Sequence, residues 1–199
     1  PGVLCLKPDG KAWEPAREPL HRGVDAPGKP CGIGPGLPFA AALLRDQPGR
    51  PHIGLVPCAV GRSALREWQL PDGELGRRAV ARARSALAAP CPDGGEPRLA
   101  CLLMYQGETD AFEAADAATW GERFTQWVAA LRAELCALAA ASGWAAPHNR
   151  CSGGTGDAAG SRICSISIVI ASRWGHCWLA AGLARRIIRS FISRHSVPS

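Results

Sequence analysis

The stretch Leu99–Asp110 (LACLLMYQGETD) constrains this chain's fold more than any other. Leu102, Leu103 and Met104 belong to a run that is apolar enough to be buried. The run then breaks into Gln106-Gly107-Glu108-Thr109-Asp110, which offers an amide, a glycine and two carboxylates within five residues. A buried strand that runs out into a polar loop is how an open α/β sheet presents its chemistry, at the carboxyl ends of the strands.

The rest of the pattern agrees with such a sheet. His52–Ala59 (HIGLVPCA) reads as a buried strand of the parallel type, since nearly every residue is apolar. Leu37–Arg45 reads as a helix fed by the glycine-rich turn CGIGPG, and Leu75–Ala89 as a helix with Leu75, Ala79, Val80, Ala83 and Leu87 on one side and arginines on the other. Arg98–Tyr105 is the next strand. Phe112–Ala139 is a long helical region in which Trp120, Phe124, Trp127, Val128, Leu131 and Leu135 recur at core spacing. Alternation of strands and helices implies βαβ units and a parallel sheet. Residues 1–30 are rich in proline and glycine and read as loop with one short strand at Val3–Leu6; Trp13 and His21 within it either line a ligand pocket or pin the loop to the core.

Character changes after Ala140. Residues 142–162 form a Gly/Ser-rich loop, Ile163–Ala171 (ICSISIVIA) a strand, and Trp178–Ser193 a basic amphipathic helix. The chain has 199 residues, suiting one α/β domain, and carries a net charge of +6. That charge is confined to the tail. Residues 1–157 hold 17 basic and 17 acidic side chains, whereas 158–199 hold six arginines and no acid. A basic tail can meet an anionic surface, but a solvated arginine-rich helix explains it as well, and no nucleic-acid partner is expected. The longest apolar run is too short to span a membrane, so no membrane span is expected either. The chain opens on Pro1 and has no signal-peptide pattern, so its N-terminus is read as processed or missing.

The nine cysteines include no CxxC and no Cys/His cluster at zinc spacing, so no metal site is expected. Cys58 and Cys101 read as buried thiols in apolar strands. The glycine-rich turn lacks a preceding strand and a Walker lysine, which argues against nucleotide binding. Gly61, at the end of the His52–Ala59 strand, can offer its backbone N–H to a ligand oxygen. Ser63 lies in GRSAL rather than a GxSxG elbow and reads as a cap or turn hydroxyl.

EPLH (18–21), CGIGPGLPFA (31–40), IGLVPCAVG (53–61), REW (66–68) and LMYQGETDA (103–111) together resemble plant carbohydrate esterases of the sialate O-acetylesterase-like group. These are carbohydrate esterase family six, within the SGNH hydrolases. The resemblance covers about residues 3–140. It implies a three-layer α/β/α flavodoxin-like fold with a mostly parallel sheet, in which 1–140 is the esterase-like domain without its first strand and 141–199 a divergent segment. It also implies removal of acetyl groups from a carbohydrate substrate without a cofactor. In the family, oxyanion stabilisation comes from the nucleophile's N–H, a glycine after the second strand and a side-chain amide in the third block. Gly61 and Gln106 match the last two. A neutral amide donates to a developing oxyanion with no competing proton equilibrium. Glu108, acceptor-only when ionised, is assigned to holding the loop. Read alone, Glu108 and Asp110 also fit an acid/base pair. Gly107, Glu108, Asp110, His21, Trp13 and Arg62 are the expected substrate- or loop-positioning residues.

The chain departs from the family at three places. No GQSN-type nucleophile segment occurs in it. Arg62 follows Gly61 where relatives usually have a small residue. No Asp-x-x-His is present: His176 is the best-placed base, yet Arg173 stands three residues before it, and His148 and His195 follow Ala145 and Ile192. The expected function is therefore a carbohydrate O-acetylesterase-like hydrolase with catalysis open to loss. The alternative is a non-catalytic carbohydrate- or partner-binding protein using the same cleft.

Overall fold

The structure is a computed structural model, and it describes residues 2–25, 32–46, 52–92, 94–141 and 163–171. Its elements are β1 (Val3–Leu6), β2 (Trp13–Pro15), α1 (Gly36–Asp46), β3 (Ile53–Pro57), α2 (Glu74–Ala88), β4 (Glu96–Tyr105), α3 (Ala114–Ala141) and β5 (Ile163–Ala171). They form an α/β fold around a small mixed sheet in the order β2-β1-β3-β5-β4. β1 pairs with β3, β3 with β5, and β5 with β4 in parallel, while β2 adds an antiparallel edge to β1.

Alternation along the strands sends successive side chains to opposite faces. Leu6 and Val56 pack on one face with Ala79, Val80, Ala83 and Ala86 of α2 and with Trp127 and Leu131 of α3. Cys5, Ile53 and Leu55 pack on the other with Ala40 of α1, beside Leu37, Leu43 and Leu44. β3 is buried along its whole length, as its unbroken apolar run requires. Trp68 and Trp127, the largest fully buried side chains, anchor the α2–α3 side.

One buried cation ties the carboxyl ends of β1 and β3 together. Arg82 of α2 donates from Nε to Pro57 O (2.7 Å), from Nη1 to Pro8 O (2.9 Å) and from Nη2 to Leu6 O and Lys7 O (both 3.3 Å). These carbonyls lie at or just past the strand ends, and the guanidinium fork adds hydrogen bonds where the ladder gives out; Lys7 O also accepts the Gly10 N–H at 2.9 Å.

The elements expected from sequence recur with shifts of a residue or two. β2 was not anticipated, because three residues with one half-buried side chain carry no usable alternation. The expectation for Cys101 is corrected: it is exposed. β4 is the outer strand of the sheet, and its register against β5 shifts between Leu99 and Cys101, which interrupts the inward–outward alternation at that residue. Cys58 is buried as expected, and burial pushes its thiol up to about 12, with Arg82 opposing the shift. Burial likewise raises Cys5 to about 11, with a smaller contribution from Glu14. Ile163–Ala171 is an interior strand of the sheet, between β3 and β4. The helix expected at Trp178–Ser193 and the loop 142–162 lie outside the described residues.

Candidate active site

Two loops leave the carboxyl ends of β3 and β4 and meet. The first runs from Cys58 through Gly61 to the 3-10 turn Leu65–Glu67, and the second is Gln106–Asp110. Asp110 joins them. It is 1% exposed, accepts the Leu65 N–H at 2.9 Å and a Gln106 Nε2 hydrogen at 2.6 Å, and pairs with Arg123 of α3 at 3.3 Å. A buried carboxylate persists only when partners replace its hydration, and here three segments supply them. Arg123 also reaches Asp116, at 3.2 Å to the carboxylate and 2.7 Å to the carbonyl, and Asp116 reaches back to Arg66 of the 3-10 turn at 3.3 Å.

Gln106 is equally committed. Its Nε2 also donates to Ser63 O at 3.2 Å, and its Oε1 accepts from Trp120 Nε1 at 2.9 Å. Both amide hydrogens thus have partners inside the protein, so presenting one to a substrate oxygen requires release of one of these bonds. Trp120 is held in turn by stacking on Phe124, with centroids 4.8 Å apart. Gly107 has φ +138, a backbone conformation that a side chain with a Cβ rarely adopts, so the loop needs glycine there, packed against the Trp120 indole.

On the facing wall, the Gly61 N–H donates to Asp25 Oδ1 at 2.9 Å. Asp25 ends a turn in which the Val24 and Asp25 amides bond to His21 O, at 3.0 and 3.1 Å. His21 is buried and lies beside the glycine-rich turn, close to Gly34. Glu18 binds the two signature segments together, accepting from Leu20 N at 2.9 Å and Gly34 N at 3.4 Å. Arg62 is exposed and has φ +63, a left-handed conformation that disfavours any side chain with a Cβ. Glycine at this position would meet a backbone requirement that arginine strains.

Ser63 is 3% exposed; its hydroxyl donates to Val60 O and accepts from Trp68 Nε1, both at 2.9 Å. It is the turn hydroxyl expected of it. Trp13 lies against β3: a Cβ on Gly54 would meet its ring at 2.7 Å, so Gly54 makes room for the indole and Trp13 pins the loop to the sheet. Glu108 is half-buried within the second loop. His176, His148 and His195 lie outside the described residues.

The model of the family described as carbohydrate esterase, sialic acid-specific acetylesterase, matches residues 1–140. This chain belongs to that family. A probable carbohydrate esterase of Arabidopsis thaliana is 40% identical over 134 residues, which are 67% of this chain and 48% of the relative. The chain thus spans about half the length of that relative. An X-ray structure of a protein from Arabidopsis thaliana superposes with a TM-score of 0.62 at 25% identity, covering 98% of this chain and 82% of that one. The segments that carry the esterase-family resemblance in sequence are the ones that build the two walls.

Four contributors to these walls carry no sequence signal that points to them. Asp25 sits in a proline- and glycine-rich loop with no motif, and Trp120, Arg123 and Asp116 read as helix residues. Spacing supplies only a hint, since Arg123 and Asp116 lie seven apart and so share a face of α3.

Proposed function

We propose that the chain is a carbohydrate O-acetylesterase-like hydrolase acting on an acetylated sugar, with no cofactor. We further propose that its layers form the three-layer, mostly parallel flavodoxin-like arrangement of SGNH hydrolases, with 1–140 as the esterase-like body and 141–199 as a divergent segment. The observation that carries the functional reading is the Gly61 N–H directed onto an anionic oxygen, Asp25 Oδ1, at 2.9 Å. An ester's tetrahedral intermediate presents the same kind of acceptor, a negatively charged oxygen that takes a backbone N–H. In this reading Asp25 holds the place of the substrate oxygen until an ester displaces it. Gln106, released from Ser63 O, supplies a second donor. Asp110 with Gly107 and Glu108 positions that amide, His21 and Arg62 shape the opposite wall, and Trp13 holds the loop before that wall against β3. His176 serves as base: it takes a proton from the water that attacks the acetyl carbon and returns it to the sugar oxygen as the bond between that carbon and the sugar oxygen breaks, leaving acetate and a free sugar hydroxyl.

The test is acetate release by the full chain from acetylated xylan and p-nitrophenyl acetate, with the variant His176→Ala. Release above background that falls by orders of magnitude in the variant supports the reading. Background release by the native chain overturns it in favour of a non-catalytic carbohydrate-binding protein. One observation favours that second reading: the Ser63 hydroxyl is buried and committed to Val60 and Trp68, so it is not placed to attack an ester.

A further inference from the structure

A cavity of about 500 Å³ opens behind the turn that carries Leu65, lined among others by Glu67, Gln69, Asp72, Glu74, Gln126 and Trp127. Three carboxylates and two carboxamides gather there beside Leu70, Leu75 and the buried indole of Trp127, giving planar groups that accept or donate hydrogen bonds next to an apolar surface. Trp127 is 1% exposed, and its indole N–H has no acceptor among the described residues. A buried donor without a partner is rare in folded proteins, and an oxygen arriving in the cavity would satisfy it. Arg66, the cation at the rim, already faces Asp116, so the carboxylates give the cavity a negative potential that repels anions. A ligand with many hydroxyl groups and no charge fits: hydroxyls donate to the carboxylates, exchange bonds with the amides and present an oxygen to the indole N–H.

We propose that this cavity is a subsite for a neutral sugar residue, one that does not react, of the oligosaccharide or polysaccharide whose acetyl ester meets Gly61. The inference rests on the esterase reading for the identity of the bound chain, but the cavity's chemistry stands apart from it. Position supports the link. The Leu65–Glu67 turn gives its Leu65 N–H to Asp110 on the site side and the Arg66 and Glu67 side chains to the cavity. One rigid turn therefore serves both, so a chain held in the cavity is held in register with the site.

The experiment is a ¹H–¹⁵N titration of the full chain with unacetylated xylotetraose, reading the Trp127 indole N–H, which is assigned by its absence in Trp127→Phe or by triple-resonance spectra. The expected result is a saturable shift of that resonance. Gln69→Ala/Gln126→Ala should weaken binding at least tenfold without changing the melting temperature, and tetragalacturonate should bind at least tenfold more weakly than xylotetraose. An unmoved Trp127 indole, or equal binding of the acidic oligosaccharide, overturns the subsite. Binding without acetate release from acetylated xylan leaves the subsite standing and overturns the esterase reading. Acetate release with an unmoved indole does the reverse.

Discussion

Asp110→Ala tests whether the two walls form one unit. In the native chain, Asp110 satisfies the Leu65 N–H and one Gln106 hydrogen and faces Arg123. Removing it strands the first donor in a buried position, at about 1–3 kcal/mol for an unsatisfied group. Gln106 keeps its bond to Ser63 O and can turn its second hydrogen to water, so it adds less. Breaking a fully buried ion pair costs about 3–5 kcal/mol, but here Arg123 is 16% exposed and retains Asp116 at 3.2 Å, so only part of that cost applies. The expected loss is about 3 kcal/mol for Asp110→Ala. For Asp110→Asn, which keeps one acceptor, it is roughly half as much. Urea unfolding followed by tryptophan emission measures both through the shift in midpoint at constant slope. A loss below about 1 kcal/mol for the alanine variant, or equal losses for the two, would refute the account of Asp110 as the joint between the loops.

Further outcomes follow from Arg62, Gly54 and the two buried cysteines. Arg62→Gly relieves the left-handed conformation at φ +63 and should raise stability by about 1 kcal/mol in the same unfolding assay; an unchanged or lower midpoint contradicts the strain. Gly54→Ala places a Cβ 2.7 Å from the Trp13 ring, so the indole has to move; a lower melting temperature and a changed near-UV signal are expected, and an unaltered spectrum would show that the ring does not rest on β3. Cys58, raised to about 12, and Cys5, raised to about 11, stay protonated in the folded chain and should react with a disulfide reagent at pH 8 only on unfolding. Because their folded values lie above the ordinary 9.0, the unfolded chain sheds these protons first, so stability is full below pH 9 and falls as the pH rises from there. A flat profile between pH 9 and 11 would contradict their burial.

Much of the fold is legible because its elements are strongly patterned. His52–Ala59 is apolar enough to admit only a buried strand, and the spacing of Leu75, Ala79, Val80 and Ala83 admits only a one-sided helix. The site is legible in its segments and not in its contacts. The sequence presents Gln106, Glu108 and Asp110 as neighbours, and their types suggest an amide donor and a loop-holding carboxylate. That Asp110 carries the bonds to Leu65 and Arg123 depends on partners 45 residues before it and 13 after it, which no local pattern encodes. The Asp25–Gly61 contact spans 36 residues in the same way. Cys101 misleads for a related reason: a run that is apolar in sequence reads the same on an outer strand with a register shift as on a central one.

The place of β5 leads to the last prediction. β3 and β4 carry the two walls on their carboxyl ends, yet they are not neighbours: β5 pairs with β3 along Ile53–Pro57 and with β4 along Glu96–Tyr105. Strands lie about 4.8 Å apart, so this one strand holds β3 and β4 about 10 Å from each other. The Gln106–Ser63 and Asp110–Leu65 bonds therefore bridge loops whose spacing β5 sets. The family-matched segment, residues 1–140, does not include that strand. A chain ending at Ala141 would leave the facing edges of β3 and β4 without their ladder, and buried backbone groups without partners are costly enough to prevent a packed sheet. Such a chain is expected to bind a hydrophobic dye and to lose the cooperative unfolding transition of the full chain. A sharp transition near that of the full chain, with Trp120 emission unchanged, would show that the walls hold their geometry without β5.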